Sequence, residues 1–110
     1  SKEMEVATRE EIQEGEATIL CQLDNSGPKE YKIEIEKIYI SNNEDNKSML
    51  IKITDESLIE KTGGIIQGMS GAPIMQNGKF IGAITNVLVN DPTQGYAIFG
   101  DMMIKQMREI

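Results

Sequence analysis

The stretch APIMQNGKFIGAITNVLV, residues 72–89, sets two apolar runs on either side of Gln76-Asn77-Gly78-Lys79. An Asn-Gly centre is the strongest short hairpin signal in a sequence, because a tight hairpin turn requires positive φ at both positions. NDPTQG, residues 90–95, then supplies a second turn and YAIF, residues 96–99, a further strand. This run alone predicts an antiparallel meander.

Working outward, EATILCQL (16–23) alternates Ala17, Ile19, Cys21 and Leu23 with mostly polar residues, Leu20 excepted, as a strand with one buried face does. DNSGP (24–28) is a turn, and YKIEIEKIYIS (31–41) resumes the alternation. Tyr31, Ile33 and Ile35 share one parity whereas Ile38 and Ile40 share the other, so a bulge is expected near Glu36 and Lys37. After the polar loop NNEDNK comes the strand SMLIKIT (48–54), then DESLIEK, long enough for a turn or two of helix with Thr54 or Asp55 as N-cap. DMMIKQMREI (101–110) reads as a C-terminal helix with an apolar stripe at Met102, Met103, Ile104 and Met107. Residues 1–110 are therefore expected to form a single all-β domain, a small closed barrel of six antiparallel strands with a terminal helix. That is the layout of one half of a chymotrypsin-like protease.

With 18 acidic and 11 basic residues the chain carries a net charge of −7, and no lysine or arginine cluster interrupts it. Nucleic acid and anionic membrane are excluded as partners on that ground, since both need local positive charge. One cysteine and no histidine leave no internal disulfide, no metal-ligand spacing and no call for a cofactor. Cys21 is expected to be a small buried hydrophobe, and the seven methionines gap-filling core residues. No stretch is apolar enough for a signal peptide or a membrane span, so any export signal is expected outside this chain. The opening SKEMEVATREE, without an initiator Met, reads as the start of an excised segment.

The chemistry points to GGIIQGMSGAPIM, residues 63–75. Glycine on both sides of Ser70 lets a tight turn present the hydroxyl, and the N–H groups of Gly68 and Ser70 could converge on the oxyanion of a tetrahedral intermediate. Gly71 keeps the approach clear and Pro73 fixes the exit into the next strand. A glycine-flanked serine is nevertheless more often a plain turn, and Asp55 by itself is more often a helix cap. A nucleophilic serine also needs a base, and there is no histidine to act as one. Lys61 or Lys79 could replace it only if desolvated enough to be neutral, and both stand in polar surroundings.

GMSGAPI resembles the Gly-Asp-Ser-Gly-Gly-Pro nucleophile loop of chymotrypsin-type serine proteases. KTGGIIQGMSGAPIMQNGKFIGAITNVLVNDPTQGYAIF (61–99) resembles the SpoIVB peptidase family of endospore-forming bacteria, and EVATREEIQEGEATILCQL and YKIEIEKI resemble an earlier part of that peptidase domain. The resemblance implies that Ser70 is the nucleophile and Asp55 the acid that orients the histidine. It also places the catalytic histidine in a Gly-His-Gly stretch upstream of this chain, with a PDZ domain and a membrane-proximal signal further upstream. On that basis the chain alone is expected to be inactive and to work with the upstream half of its own peptidase domain. The implied role is a protease exported from the forespore to the intermembrane space, which cleaves itself and a membrane-bound sporulation regulator so that a late sigma factor is released.

Two positions depart from the family pattern, Ala72 where serine is usual and Asn86 where histidine is usual. An asparagine amide cannot act as a general base near neutral pH. These departures favour the rival expectation, a pseudoprotease or peptide-binding module that keeps the barrel without the chemistry. Self-association of a half with an open barrel face is a third expectation.

Overall fold

Isoleucine at alternate positions builds the wall: Ile33, Ile35, Ile51 and Ile53 are each at most 1% exposed, while Lys32, Glu34 and Lys52 between them face solvent. The computed structural model of the chain describes residues 5–23, 25–39, 47–65 and 69–101. Six strands occur among them, β1 (Gly15–Cys21), β2 (Lys29–Ile38), β3 (Met49–Ile53), β4 (Pro73–Gln76), β5 (Lys79–Val87) and β6 (Gln94–Phe99), with an α-helix, α1 (Glu56–Thr62), between β3 and β4 and a single 3-10 turn, Arg9–Glu11, ahead of β1. All neighbours are antiparallel, and the order β1-β2-β3-β6-β5-β4 closes on itself as a barrel. The architecture is that of a chymotrypsin-like barrel half. The expected stripe at Met102, Met103, Ile104 and Met107 lies outside the described residues; Gly100 and Asp101 are helical.

The local signals act as their chemistry requires. Asn77 and Gly78 take φ of 52° and 78° and join β4 to β5 in a two-residue hairpin. The β2–β3 register shifts between Ile35 and Lys37, where the parity of the sequence flips, and this brings Ile38 opposite Met49. Cys21 departs from expectation. It is half-buried at the end of β1, packed on the rim of the core beside Leu23, and that partial burial pushes its thiol pKa up.

Closure rests on a short seam. β1 meets β4 only through Thr18↔Met75 and Ile19↔Ile74. Below it the buried side chain of Gln76 completes the join: its amide nitrogen donates to the carbonyls of Gln13 (2.8 Å) and Glu16 (3.0 Å), and its oxygen accepts from the N–H of Gln13 at 3.0 Å. Each of these groups would otherwise be a costly unpaired dipole.

Residues 5–12 strap the same end of the barrel. Phe80 donates its N–H to the Glu5 carbonyl (2.8 Å) and accepts from the Ala7 N–H (2.9 Å), while Ala7 and Ile12 are buried. The Arg9 guanidinium lies 4.9 Å from the centre of the Phe99 ring and 3.1 Å from Asp101. The Lys79 ammonium pairs with Glu11 and stands 3.8 Å from Glu5. The opposite end carries α1, the Ser70 turn and the β5–β6 connection. Among the described residues no helix is long and apolar enough to cross a membrane.

Candidate active site

Ser70 occupies the second position of a tight turn in which the Ala72 N–H donates to the Met69 carbonyl at 3.0 Å. Gly71, the third position, has a φ of 90°, the left-handed value that a type II turn demands there. A Cβ on Gly71 would meet nothing within 4 Å, so glycine is required at this position by backbone conformation rather than by crowding. Ala72 is buried, whereas Ser70 is exposed.

The turn hangs on β5. The Gly71 N–H donates to the Ile84 carbonyl (2.7 Å), and the Ile84 N–H returns a bond to the Ala72 carbonyl (3.1 Å). The Ser70 hydroxyl points at the Thr85 carbonyl from 3.4 Å, long for an O–H···O bond, so the hydroxyl is oriented but weakly held. Two N–H groups are thereby excluded from binding a substrate oxyanion, those of Gly71 and Ala72. Of the two donors expected from the sequence, Ser70 is described and Gly68 lies outside the described residues. Pro73 opens β4 opposite Ala83, a position where its missing N–H costs little.

The β4–β5 ladder ends at Pro73↔Ala83, and the Ser70 turn follows it along β5 through the bonds of Gly71 and Ala72 to Ile84. On its other side β5 stays paired with β6 through Asn86↔Tyr96 and Val87↔Gly95. Asn86 is exposed on this stretch, one residue from the carbonyl that Ser70 faces.

Asp55 is the N-cap of α1. Its Oδ1 accepts from the Ser57 hydroxyl (2.6 Å) and from the N–H groups of Ser57 (3.1 Å) and Leu58 (3.3 Å). Its Oδ2 accepts from the N–H of Lys32 in β2 at 3.0 Å. The Lys32 carbonyl in turn accepts from Thr54 and Asp55. The Ser57 hydroxyl and the Lys32 N–H, with the two helix amides, hold the Asp55 carboxyl below the usual carboxylate range against a small opposing effect of burial.

The structure does not put Asp55 beside Ser70. One is anchored on β2 and the other on β5, and two strands separate those walls in either direction round the barrel.

Neither lysine is placed as a substitute base. Lys79 sits at the far end of the barrel, where hydrogen bonding to Glu11 raises its pKa further. Lys61 is exposed in the last turn of α1. Among the described residues no group of acidic or cysteine side chains is arranged to hold a metal ion. Sequence reasoning missed Ile84, Thr85 and Lys32, whose contributions are backbone groups. Only the departure at Asn86 pointed to that part of β5.

The family model described as SpoIVB peptidase S55 matches residues 1–104. No curated protein and no solved structure gives a match.

Proposed function

Because the chain belongs to the SpoIVB peptidase S55 family, a family of peptidases, we propose that it is the nucleophile-bearing barrel of a serine endopeptidase. The observation that carries this reading is Ser70, exposed on a glycine-dependent turn that hangs from β5 just past the end of the β4–β5 ladder.

In this mechanism Ser70 Oγ attacks the carbonyl carbon of the scissile bond as its proton passes to a histidine contributed from outside this chain, which has none. Collapse of the tetrahedral intermediate breaks the C–N bond, and the histidine returns the proton to the leaving amine. Water then repeats the sequence on the acyl-enzyme. The N–H groups of Ser70 and Gly68 are the oxyanion donors, those of Gly71 and Ala72 being taken by the Ile84 and Met69 carbonyls.

Asp55 acts as the orienting acid while remaining the helix cap. Its Oδ2 accepts one backbone bond, from Lys32, and a carboxylate oxygen can accept a second. Two hydrogen bonds of about 2.8 Å with an imidazole between them span roughly 8 Å, the separation this role requires of Asp55 and Ser70. The proposal extends to a membrane-bound sporulation regulator as substrate, to self-cleavage and to export to the intermembrane space, for which the family resemblance is the support.

Fluorophosphonate labelling read by peptide mapping tests the reading, applied to this chain and to a longer protein that carries it with a histidine-bearing upstream segment. Label on Ser70 in the longer protein alone supports the peptidase. Label in neither supports the pseudoprotease or peptide-binding module that Ala72 and Asn86 favour.

A further inference from the structure

We propose that Asp91 is a positioning residue for Ser70: its carboxylate fixes the β5–β6 turn on which the front end of the nucleophile segment rests, and so keeps the hydroxyl and its oxyanion donors in register. The inference rests on the peptidase reading above and adds to it a residue that acts through the backbone.

Residues 91–94 form a turn closed by the Gln94 N–H, which donates to the Asp91 carbonyl at 3.0 Å. Aspartate in the first position and proline in the second are what a type I turn favours, and Thr93 in the third has no positive φ. Asp91 Oδ1 accepts both the hydroxyl of Thr93 (2.6 Å) and its N–H (3.0 Å). The Thr93 hydroxyl, and after it the Thr93 N–H, hold the Asp91 carboxyl below the usual carboxylate range, so both bonds are made to the ionised form at neutral pH.

The Thr93 N–H and the Pro92 carbonyl belong to one planar peptide unit. Asp91 holds its N–H side. On the other side the Pro92 carbonyl accepts the Ile65 N–H at 2.7 Å, and Gly64 passes so close that a Cβ there would collide with the same oxygen. Type I and type II turns differ by a half-turn of this central peptide, and any part of that rotation swings the carbonyl away from Ile65. The Thr93 carbonyl is engaged as well, accepting from the Ile53 N–H at the end of β3 (2.7 Å). The turn is therefore a junction that ties β3 and the segment after α1 to the β5–β6 ladder.

Ser70 lies five residues beyond Ile65 in the sequence, and the segment they bound is anchored at both ends. At the front, Ile65 is buried against Gly95, where a Cβ would come 2.8 Å from Ile65 Cδ1. At the back, Met69 is buried in the core, and Gly71 and Ala72 bond to Ile84 on β5. The back anchor owes nothing to Asp91, whereas the front one bonds to the peptide that Asp91 fixes. Gly68, the second oxyanion donor, falls between the two anchors in the sequence, so a shift at the front acts on the donor pair. A displacement of about 1 Å at a reacting group costs on the order of 10²-fold in rate.

The test uses the full-length protein that carries this chain, with saturation kinetics of fluorophosphonate labelling at Ser70 and urea midpoints read on the same samples. In folded Asp91→Ala the maximal labelling rate should fall by at least roughly tenfold while the half-saturating probe concentration stays near the wild-type value. Asp91→Asn keeps an oxygen that can accept both Thr93 donors and should restore most of the rate. Gln76→Leu, destabilised at the opposite end of the barrel, should label at the wild-type rate. The inference is overturned if folded Asp91→Ala labels like wild type or if Asp91→Asn does no better than Asp91→Ala. It is equally overturned if Gln76→Leu slows as much as Asp91→Ala, since the rate would then follow stability alone. Where Asp91→Ala fails to fold, Thr93→Val decides: it removes the hydroxyl that braces the carboxylate and should slow labelling, and an unchanged rate overturns the inference. If wild-type Ser70 takes no label, the peptidase reading falls and this inference falls with it. A labelled wild type with any of the adverse results in the variants sinks the inference alone.

Discussion

Asp55 Oδ2 accepts the backbone N–H of Lys32 at 3.0 Å, a bond that ties the first turn of α1 to the middle of β2. The same carboxylate caps the helix through Oδ1, so one side chain fixes both the start of α1 and its position on the wall. Asp55→Ala should cost about 1–2 kcal/mol, the usual value of an N-cap, measured by urea unfolding. Asp55→Asn can keep the Oδ1 contacts but sets an amide NH₂ against the Lys32 N–H, and should cost about 1 kcal/mol. If Asp55 also orients the histidine, Asp55→Asn in the longer protein lowers kcat by about 10⁴-fold, far beyond what the stability change explains. An activity loss no larger than the unfolded fraction would leave Asp55 as a cap alone.

The same carboxylate gives a pH signature. Its pKa is depressed in the folded state, so the stability it adds is fully present above its unfolded value, about 3.9, and is lost as pH falls through the lower folded value. The difference in Tm between wild type and Asp55→Ala should hold from pH 7 to about pH 5 and close as the pH drops below about 4. A difference that persists undiminished to pH 2 would show that the carboxylate charge is not its source.

Gly71 and Gly64 both have positive φ but for different surroundings. At Gly71 an added methyl has open space, so Gly71→Ala should cost only the left-handed strain, about 1–2 kcal/mol. At Gly64 the strain is joined by a clash with the Pro92 carbonyl, and Gly64→Ala should cost about 3 kcal/mol or more. Denaturant midpoints of the two variants check the order. Equal costs would refute the close approach at Gly64.

Gln76→Leu keeps approximate volume but leaves two carbonyls and one N–H unpaired at the seam. It should cost about 3 kcal/mol, whereas Lys79→Met at the exposed ion pair nearby should leave the denaturation midpoint nearly unchanged. Lys79→Met should also leave Ser70 labelling in the longer protein unchanged, because the ammonium lies at the other end of the barrel. Loss of labelling in that variant would revive the lysine as a base.

Much of the wall was legible in the sequence because it follows from period-two alternation: the β2 bulge at Lys37, the Asn77-Gly78 hairpin and the inward isoleucines are all local patterns. Asp55 was legible as a cap for the same reason. Gln76 was not, since a polar residue at an inward position looks like a break in pattern until its partners, Gln13 and Glu16, come in from far along the chain. Nor could alternation show that Ile84 and Thr85 hold the Ser70 turn, or that Asp55 and Ser70 stand on opposing walls, because both depend on strand order. Ile65 lacked any signal beyond its apolar type; its place is set by Gly64 and Gly95, each of which reads alone as a turn or a strand irregularity.

The β1–β4 seam has a kinetic consequence. It joins segments distant along the chain through two residue pairs and one glutamine, whereas the β4–β5 hairpin forms from neighbours. Loop-closure entropy makes the seam the last contact to form and the first to open, with the hairpin persisting as a unit. Of the adjacent Thr18 and Ile19 amides one faces β4 and the other β2; the one facing β4 should exchange by local opening well below the free energy of global unfolding, and those of β5 close to it.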